Sequence, residues 1–359
     1  MSRADAQTTF TWDGGGANAS NNTPANWVGD TYVNNSGNFY VFSDGAVRNA
    51  VTGSAAQNGQ LAFGGDAFTV DLTTTWDLNP SVAGFSIVMD SNNLMTFSGT
   101  GQLTMRKGVS GTGTGIINVT SNLAFTSNSY TWGGDGTFLM NDADGTNLTG
   151  GNRLMTINGQ QKVIVNNTSG SGLGLFGVSV ATGAALGGSG ILTPGDAAFN
   201  ANITIQSNGT LSAGDNYTSG ADVGTLTTTF GNTLGTMILS SGSKYVFDLA
   251  TTSTSDKIVL TNGTLQLNGQ QFSDFTFNNL AGFGVGTYTL FQTAAITNSL
   301  GANLTGTIGG LGSTLSVSGN DVLLTVVPEP TTWALLAFGL CTMLFLRRRR
   351  VPPLAVEVF

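Results

Sequence analysis

The stretch NITIQSNGTLS, residues 202–212, carries the pattern that decides the fold. Ile203 and Ile205 stand two positions apart with a polar residue between them, which is the spacing of side chains on one face of a β-strand. Asn208 and Gly209 follow, and this dipeptide favours turns with a positive φ. The stretch therefore predicts short alternating strands separated by tight turns.

The same chemistry recurs along the chain. Asn262 and Gly263 repeat the turn, and short Gly-bounded segments begin at Gly99 and Gly111. Such signals fit the antiparallel hairpins of a sandwich as well as the stacked strands of a solenoid, because periodicity alone does not separate the two.

Composition indicates an all-β protein. Only 9% of the 359 residues are charged, 52 are Gly and none is His. Glu occurs only at Glu329 and Glu357, so the rest of the chain lacks a common surface residue of helices. The net charge of −8 argues against nucleic acid as a partner. The single cysteine, Cys341, leaves stability to strand pairing and stacking, which suits an extended repetitive β architecture.

A resemblance favours the solenoid. The opening TWDGGG at residues 11–16, followed by Asn26 and Trp27, resembles proteins with autotransporter-associated β-strand repeats, and the segments 101–108 and 184–214 resemble the repeats themselves. The resemblance extends over most of residues 10–327. It implies a right-handed parallel β-helix in which each Gly-bounded strand stacks on the next.

Strands after residue 225 are longer and more aromatic, as in KYVFDL at residues 244–249. We expect a solenoid over residues 7–224 and a β-rich C-terminal cap or wider coils over 225–326, with a separate small β-sandwich as the alternative for the second region.

The tail has a different character. Residues 331–346 contain no charge and are rich in Leu, Phe, Met and Ala, so they predict one transmembrane helix. Sixteen residues at about 1.5 Å each give roughly 24 Å, which is short for a bilayer core of about 30 Å. The arginines at positions 347–350 favour insertion with the preceding domain outside; a buried core helix is the alternative.

Pro328, Glu329 and Pro330, the apolar helix and Arg347, Arg348, Arg349 and Arg350 together resemble the PEP-CTERM sorting signal of Gram-negative bacterial surface proteins, here over residues 327–350. The resemblance implies that an exosortase-type enzyme recognises the Pro-Glu-Pro element and removes the tail. It also implies an inner-membrane precursor, a mature form at the cell surface or in the extracellular matrix, and exopolysaccharide as a further partner. Residues 351–359 continue past the arginines and depart from the family pattern.

An exported protein needs a signal peptide. Ala4-Asp5-Ala6 before Gln7 fits an A-x-A cleavage pattern, so residues 1–6 are interpreted as the remnant of a longer signal peptide.

Most catalytic chemistry is excluded by missing residue types. Without His, and with Cys only in the tail, there is no Ser-His-Asp triad, no imidazole base and no zinc cluster. Asp142 and Asp144 are the candidates for a carboxylate pair or a weak Ca²⁺ loop, but NDADG is typical of a solvated turn, and Arg153 stands where an EF-hand needs Glu. We therefore expect no catalytic residue, no metal and no cofactor.

Gly172 to Gly177 match the dinucleotide string G-x-G-x-x-G, but a strand pattern follows where a helix is required. Four tryptophans, at positions 12, 27, 76 and 132, are interpreted as core residues, with sugar stacking as the alternative. Two function classes remain: a non-enzymatic exported β scaffold, which we favour, and a carbohydrate-binding or carbohydrate-active parallel β-helix.

Overall fold

The computed structural model describes residues 8–81, 84–127, 129–142, 144, 154–197, 200–215, 222–328 and 330–348, with backbone only for 330–334 and 348. Short strands dominate it, and two 3₁₀ turns occur at Pro24–Asn26 and Phe272–Asp274. The strands are β1 (Thr9–Trp12), β2 (Phe39–Ser43), β3 (Ala50–Gly53), β4 (Gln60–Gly64), β5 (Phe68–Leu72), β6 (Trp76–Leu78), β7 (Phe85–Met89), β8 (Leu94–Gly99), β9 (Gln102–Met105), β10 (Gly108–Ser110), β11 (Ile116–Val119), β12 (Asn122–Phe125), β13 (Ser129–Trp132), β14 (Thr137–Met140), β15 (Leu154–Ile157), β16 (Lys162–Val165), β17 (Gly177–Val180), β18 (Ala185–Gly187), β19 (Ile191–Leu192), β20 (Ile203–Ile205), β21 (Thr210–Ser212), β22 (Thr225–Thr228), β23 (Thr236–Leu239), β24 (Lys244–Leu249), β25 (Lys257–Leu260), β26 (Thr264–Gln266), β27 (Phe275–Asn279), β28 (Gly286–Gln292), β29 (Ile296–Thr297), β30 (Thr305–Ile308), β31 (Leu311–Ser318) and β32 (Asp321–Val327).

Successive segments of the chain pair in parallel. β20, β21 and β22 pair with β23, β24 and β25 respectively, so each segment gives one strand to each of three sheets before the next segment begins. We call such a three-strand segment a coil. The same order holds earlier, where β4, β5 and β6 pair with β7, β8 and β9. The longest sheet collects ten strands from β3 to β27. This topology confirms the all-β prediction and is consistent with a parallel β-helix.

The alternating sequence explains the strands. In β20 and β21, Ile203, Ile205 and Leu211 are buried inside the coils, whereas Thr204 and Thr210 are on the outer side. Asn208, between the two strands, has a φ of 56°, as the Asn-Gly turn predicted. The turn leads into a neighbouring sheet and not back along the same one, because β20 and β21 belong to different sheets.

Glycines allow the backbones of neighbouring coils to approach closely. A Cβ at Gly108 would lie only 1.7 Å from the backbone O of Thr131 on the following coil. At Gly188, which has a φ of 119°, a Cβ would lie 2.0 Å from the backbone O of Val165. These contacts explain why glycine bounds so many strands of this chain.

Antiparallel pairing begins with β28, within the described strands. The order β28-β32-β31-β30 forms the end of the sheet that starts with β19, and we call these four strands the closing sheet. Parallel pairing continues past residue 225 as far as β29. The division of the chain at residue 225 stays a prediction.

After the closing sheet the chain forms the helix α1, Pro330–Arg348, at the position that the sequence predicted. Within the described part of the chain, no helix combines the length and the apolar character that a membrane crossing requires. The helix is therefore present, but its transmembrane character is not shown.

Candidate sorting and processing segment

The Pro-Glu-Pro element follows the last strand without a linker. Val326 pairs with Gly286 on one side and with Ser313 on the other, so β32 is a central strand of the closing sheet. Val326 is 1% exposed, whereas Val327 is 44% exposed. Pro328, which comes next, has no N–H to donate to a neighbouring strand, so the ladder ends there. The folded domain and the candidate processing site are thus adjacent in the chain.

The predicted sorting residues are described to different extents. Pro328 is half-buried, and Pro330 is the first residue of α1, where its fixed φ suits the first helical turn. Arg347 is exposed and Arg348 is described by its helical backbone alone. Three of the predicted residues lie outside the described residues: Glu329, Arg349 and Arg350.

From Leu335 to Leu346 the side chains of α1 are apolar except for Thr342, and they are exposed on every side of the helix. None of those from Leu335 to Leu346 is buried against the β domain. The large ones exposed are Leu335, Leu336, Phe338, Leu340, Met343, Leu344, Phe345 and Leu346. A helix that is apolar all round requires an apolar environment to cover it.

Asp142 and Asp144, the candidates for a carboxylate pair, are joined by a hydrogen bond from the backbone of one to the side chain of the other. Asp142 is buried, and its carboxylate accepts hydrogen bonds from the backbone N–H groups of Leu123 at 3.0 Å and Asp144 at 3.2 Å. Burial raises the pKa of Asp142, and these two hydrogen bonds oppose the rise. The aspartate therefore fixes a turn, but the interpretation of this turn as solvated is wrong for Asp142, because its side chain is buried. Arg153 lies outside the described residues.

The glycine string at residues 172–177 packs against the core. A Cβ at Gly172 would lie 2.0 Å from Cγ1 of Val165, and Gly177 begins the strand β17. The helix that a dinucleotide site requires is not present after it, in the residues described up to Leu192.

The four tryptophans lie in the core, each at most 1% exposed. Trp12 donates to the backbone O of Arg48 at 2.7 Å, Trp27 donates to that of Asn21 at 2.9 Å, and the two rings pack edge to face. The TWDGGG opening thus forms an aromatic cluster at the N-terminal end of the coils. The core interpretation is confirmed, and the sugar-stacking alternative is wrong for these residues.

Sequence reasoning missed a buried acidic pair on the later coils. Asp256 is fully buried and accepts hydrogen bonds from the backbone N–H groups of Asp248 at 2.8 Å and Gly224 at 2.7 Å. Asp248 is also buried and accepts a hydrogen bond from Nδ2 of Asn278 on the next coil at 2.7 Å. Burial raises the pKa of Asp248, and the Asn278 hydrogen bond opposes the rise. No group of three or more potential metal ligands occurs in the part of the chain that the structure describes.

Comparison with known families matches the tail. The model of the PEP-CTERM protein-sorting motif covers residues 326–350. No curated protein matches the chain. The sorting motif indicates an exported protein whose precursor is anchored in a membrane and processed by an exosortase. The match does not extend over the coils, so the resemblance to autotransporter-associated repeats stays a prediction.

Proposed function

We propose that this protein is a non-enzymatic β scaffold of a bacterial surface or extracellular matrix, delivered as a membrane-anchored precursor and released by an exosortase-type enzyme. The observation that carries the proposal is the junction at Val327 and Pro328, where the Pro-Glu-Pro element of the matched motif directly follows β32, the central strand of the closing sheet. The junction places the folded domain on one side of the processing element and the apolar helix on the other.

The helix α1 is proposed as the transmembrane anchor of the precursor. The helical backbone of α1 is described from Pro330 onward, whereas its side chains are described only from Leu335 onward. The exposed apolar surface from Leu335 to Leu346 supports the proposal, because lipid would cover it on all sides. The arginines that follow favour the cytoplasmic side, which would leave the β domain outside.

The scaffold proposal rests on the stacked coils. Parallel pairing over many coils supports a parallel β-helix, for which the repeat resemblance implies a right-handed form. A scaffold needs a stable repeated surface and no reactive group. The chain has no His, and the buried Asp142 holds backbone N–H groups. The alternative is a carbohydrate-binding or carbohydrate-active protein. It is less well supported, because the four tryptophans that could have stacked on sugars are buried.

Changing Glu329→Ala in the native host tests the sorting proposal. We expect an uncut precursor in the inner membrane, since the change removes the only acidic group of the Pro-Glu-Pro element. Glu357→Ala is the matched control, because it removes the only other glutamate of the chain and should leave processing normal. Mass spectrometry of the protein's C-terminus would identify each form. Normal maturation of the Glu329→Ala protein would contradict processing at this element.

A further inference from the structure

The strand β32 leaves the closing sheet at a definite end. Val326 pairs with Gly286, the first residue of β28, and Val327 pairs with Gly312 near the start of β31. The loop before β28 and the turn between β30 and β31 therefore lie at the same end as the sorting motif.

Close contacts join these segments into one surface. A Cβ at Gly309 would lie 3.4 Å from Cε1 of Phe283, so the β30–β31 turn touches the loop before β28. A Cβ at Gly312 would lie 3.6 Å from Cγ2 of Val327. We call this surface the exit face and define it by Phe283, Val285, Gly309, Gly310, Leu311 and Val327.

The six residues that define the exit face are apolar and uncharged, and the polar side chain of Asn279 lies beside them, with its Nδ2 3.1 Å from a Cβ built at Gly309. Val285 is 57% exposed and Val327 is 44% exposed, while Phe283 and Leu311 are half-buried. Residues 275–320 and 322–328 contain no Asp, Glu, Lys or Arg. The one charged residue in this part of the chain, Asp321, lies at the other end of the closing sheet, as the first residue of β32, where it pairs with Ser318.

The chain holds the exit face near the start of α1. Val327 and Pro330 are three residues apart, so their Cα atoms are separated by at most roughly 11 Å. The headgroup region is about 5 to 7 Å thick on each side of the bilayer core. With α1 inserted, the exit face is therefore held within reach of the headgroups.

We infer that the exit face rests on the membrane surface while the precursor is anchored, with Val285 and Val327 in the headgroup region. The inference depends on the proposed function, because α1 must be inserted. Since the exit face has no charged group, its partner is the apolar and headgroup boundary of any bilayer, without a requirement for anionic lipid.

Spin labels on the full chain test the inference. In a Cys341→Ser background, a nitroxide is attached at Val285→Cys on the exit face, at Ser318→Cys at the other end of β31, or at Leu340→Cys in α1. Each protein is reconstituted into phosphatidylcholine vesicles, with and without phosphatidylglycerol. The accessibility of the nitroxide to oxygen and to a water-soluble nickel chelate is then compared among the three positions. Ser318 is the matched control because it is an exposed strand-end residue of the same sheet.

We expect the label at position 340 to be in the bilayer core, the label at 285 to be at the interface in both lipid mixtures, and the label at 318 to be in water. A label at 285 as accessible to nickel as the label at 318, with 340 in the core, would overturn the exit-face inference and leave the anchor intact. A water-exposed label at 340 would overturn both. If the label at position 285 reached the interface only in vesicles that contain phosphatidylglycerol, the inference that the contact does not require anionic lipid would be overturned.

Discussion

The carboxylate of Asp256 accepts a hydrogen bond of 2.8 Å from the backbone N–H of Asp248, so one buried aspartate holds the strand that carries another. Its other oxygen accepts from Gly224, just before β22. One side chain thus connects two segments of neighbouring coils inside a region from which water is excluded.

Removing this carboxylate should destabilise the coils. Asp256→Ala leaves the N–H groups of Gly224 and Asp248 without their acceptor, and each unsatisfied buried group costs about 1 to 3 kcal/mol. We expect the free energy of unfolding to fall by roughly 2 to 4 kcal/mol, measured by urea denaturation. Asp256→Asn, which keeps one oxygen acceptor, should lose less. Equal stability of the alanine variant and the wild type would show that other groups satisfy both donors.

Asp248 should make stability depend on pH. Burial raises its pKa in the folded protein above the value of about 3.9 in an unfolded chain. The folded state therefore binds the proton more tightly, and this contribution to stability is present below about pH 4 and is lost as pH rises through the raised pKa. Asp248→Asn removes the titration, so its stability relative to wild type should increase from pH 4 to pH 7, measured by urea midpoints.

The close approach of coils at Gly108 should make this position intolerant of a side chain. In Gly108→Ala the new Cβ would meet the backbone O of Thr131, and relief requires movement of the next coil. We expect a loss of about 1 to 3 kcal/mol in the free energy of unfolding. Gly64→Ala is the matched control, since Gly64 is also a strand residue and a Cβ there meets nothing within 4 Å. Similar unfolding midpoints for both variants would contradict the described packing.

The position of β32 makes a prediction for truncated chains. A protein that ends at Pro328 keeps the closing sheet and should give a β-type circular dichroism spectrum without a strong helical minimum. A protein that ends at Ser318 loses the buried side chains of Val322, Leu324 and Val326, each worth about 1.5 to 3 kcal/mol. This shorter chain should be cleaved rapidly by added protease under conditions that spare the longer one. Equal resistance of the two chains to protease would mean that the rest of the closing sheet stays folded without its central strand.

The strands and turns of this fold are predictable from local sequence. The alternation at Ile203 and Ile205 and the positive φ at Asn208 follow from residue types within a few positions. The choice between a sandwich and stacked coils does not, because the strand that pairs with Ile203 contains Met237, far along the chain. The resemblance to a repeat family favoured the stacked arrangement in advance, and the lack of cysteine outside the tail agreed with it.

The sorting motif was found from sequence because its residues are consecutive. The buried aspartates were missed for the opposite reason. In KYVFDL, Asp248 alternates with inward residues and reads as an outward polar side chain. In the structure Asp248 contacts Asp256, eight residues further on, and Asn278 of the next coil, and the alternation around Asp248 predicts neither contact.

Coils that each give one strand to three sheets have a consequence for how this protein can change in evolution. Duplication or loss of a whole coil in the gene would lengthen or shorten the molecule by one strand spacing, about 4.8 Å, because each coil pairs only with the one before and the one after. The aromatic cluster at one end and the closing sheet at the other would be unaffected. The length of the stack of coils is therefore a property that selection can adjust in steps, with the sorting motif left untouched.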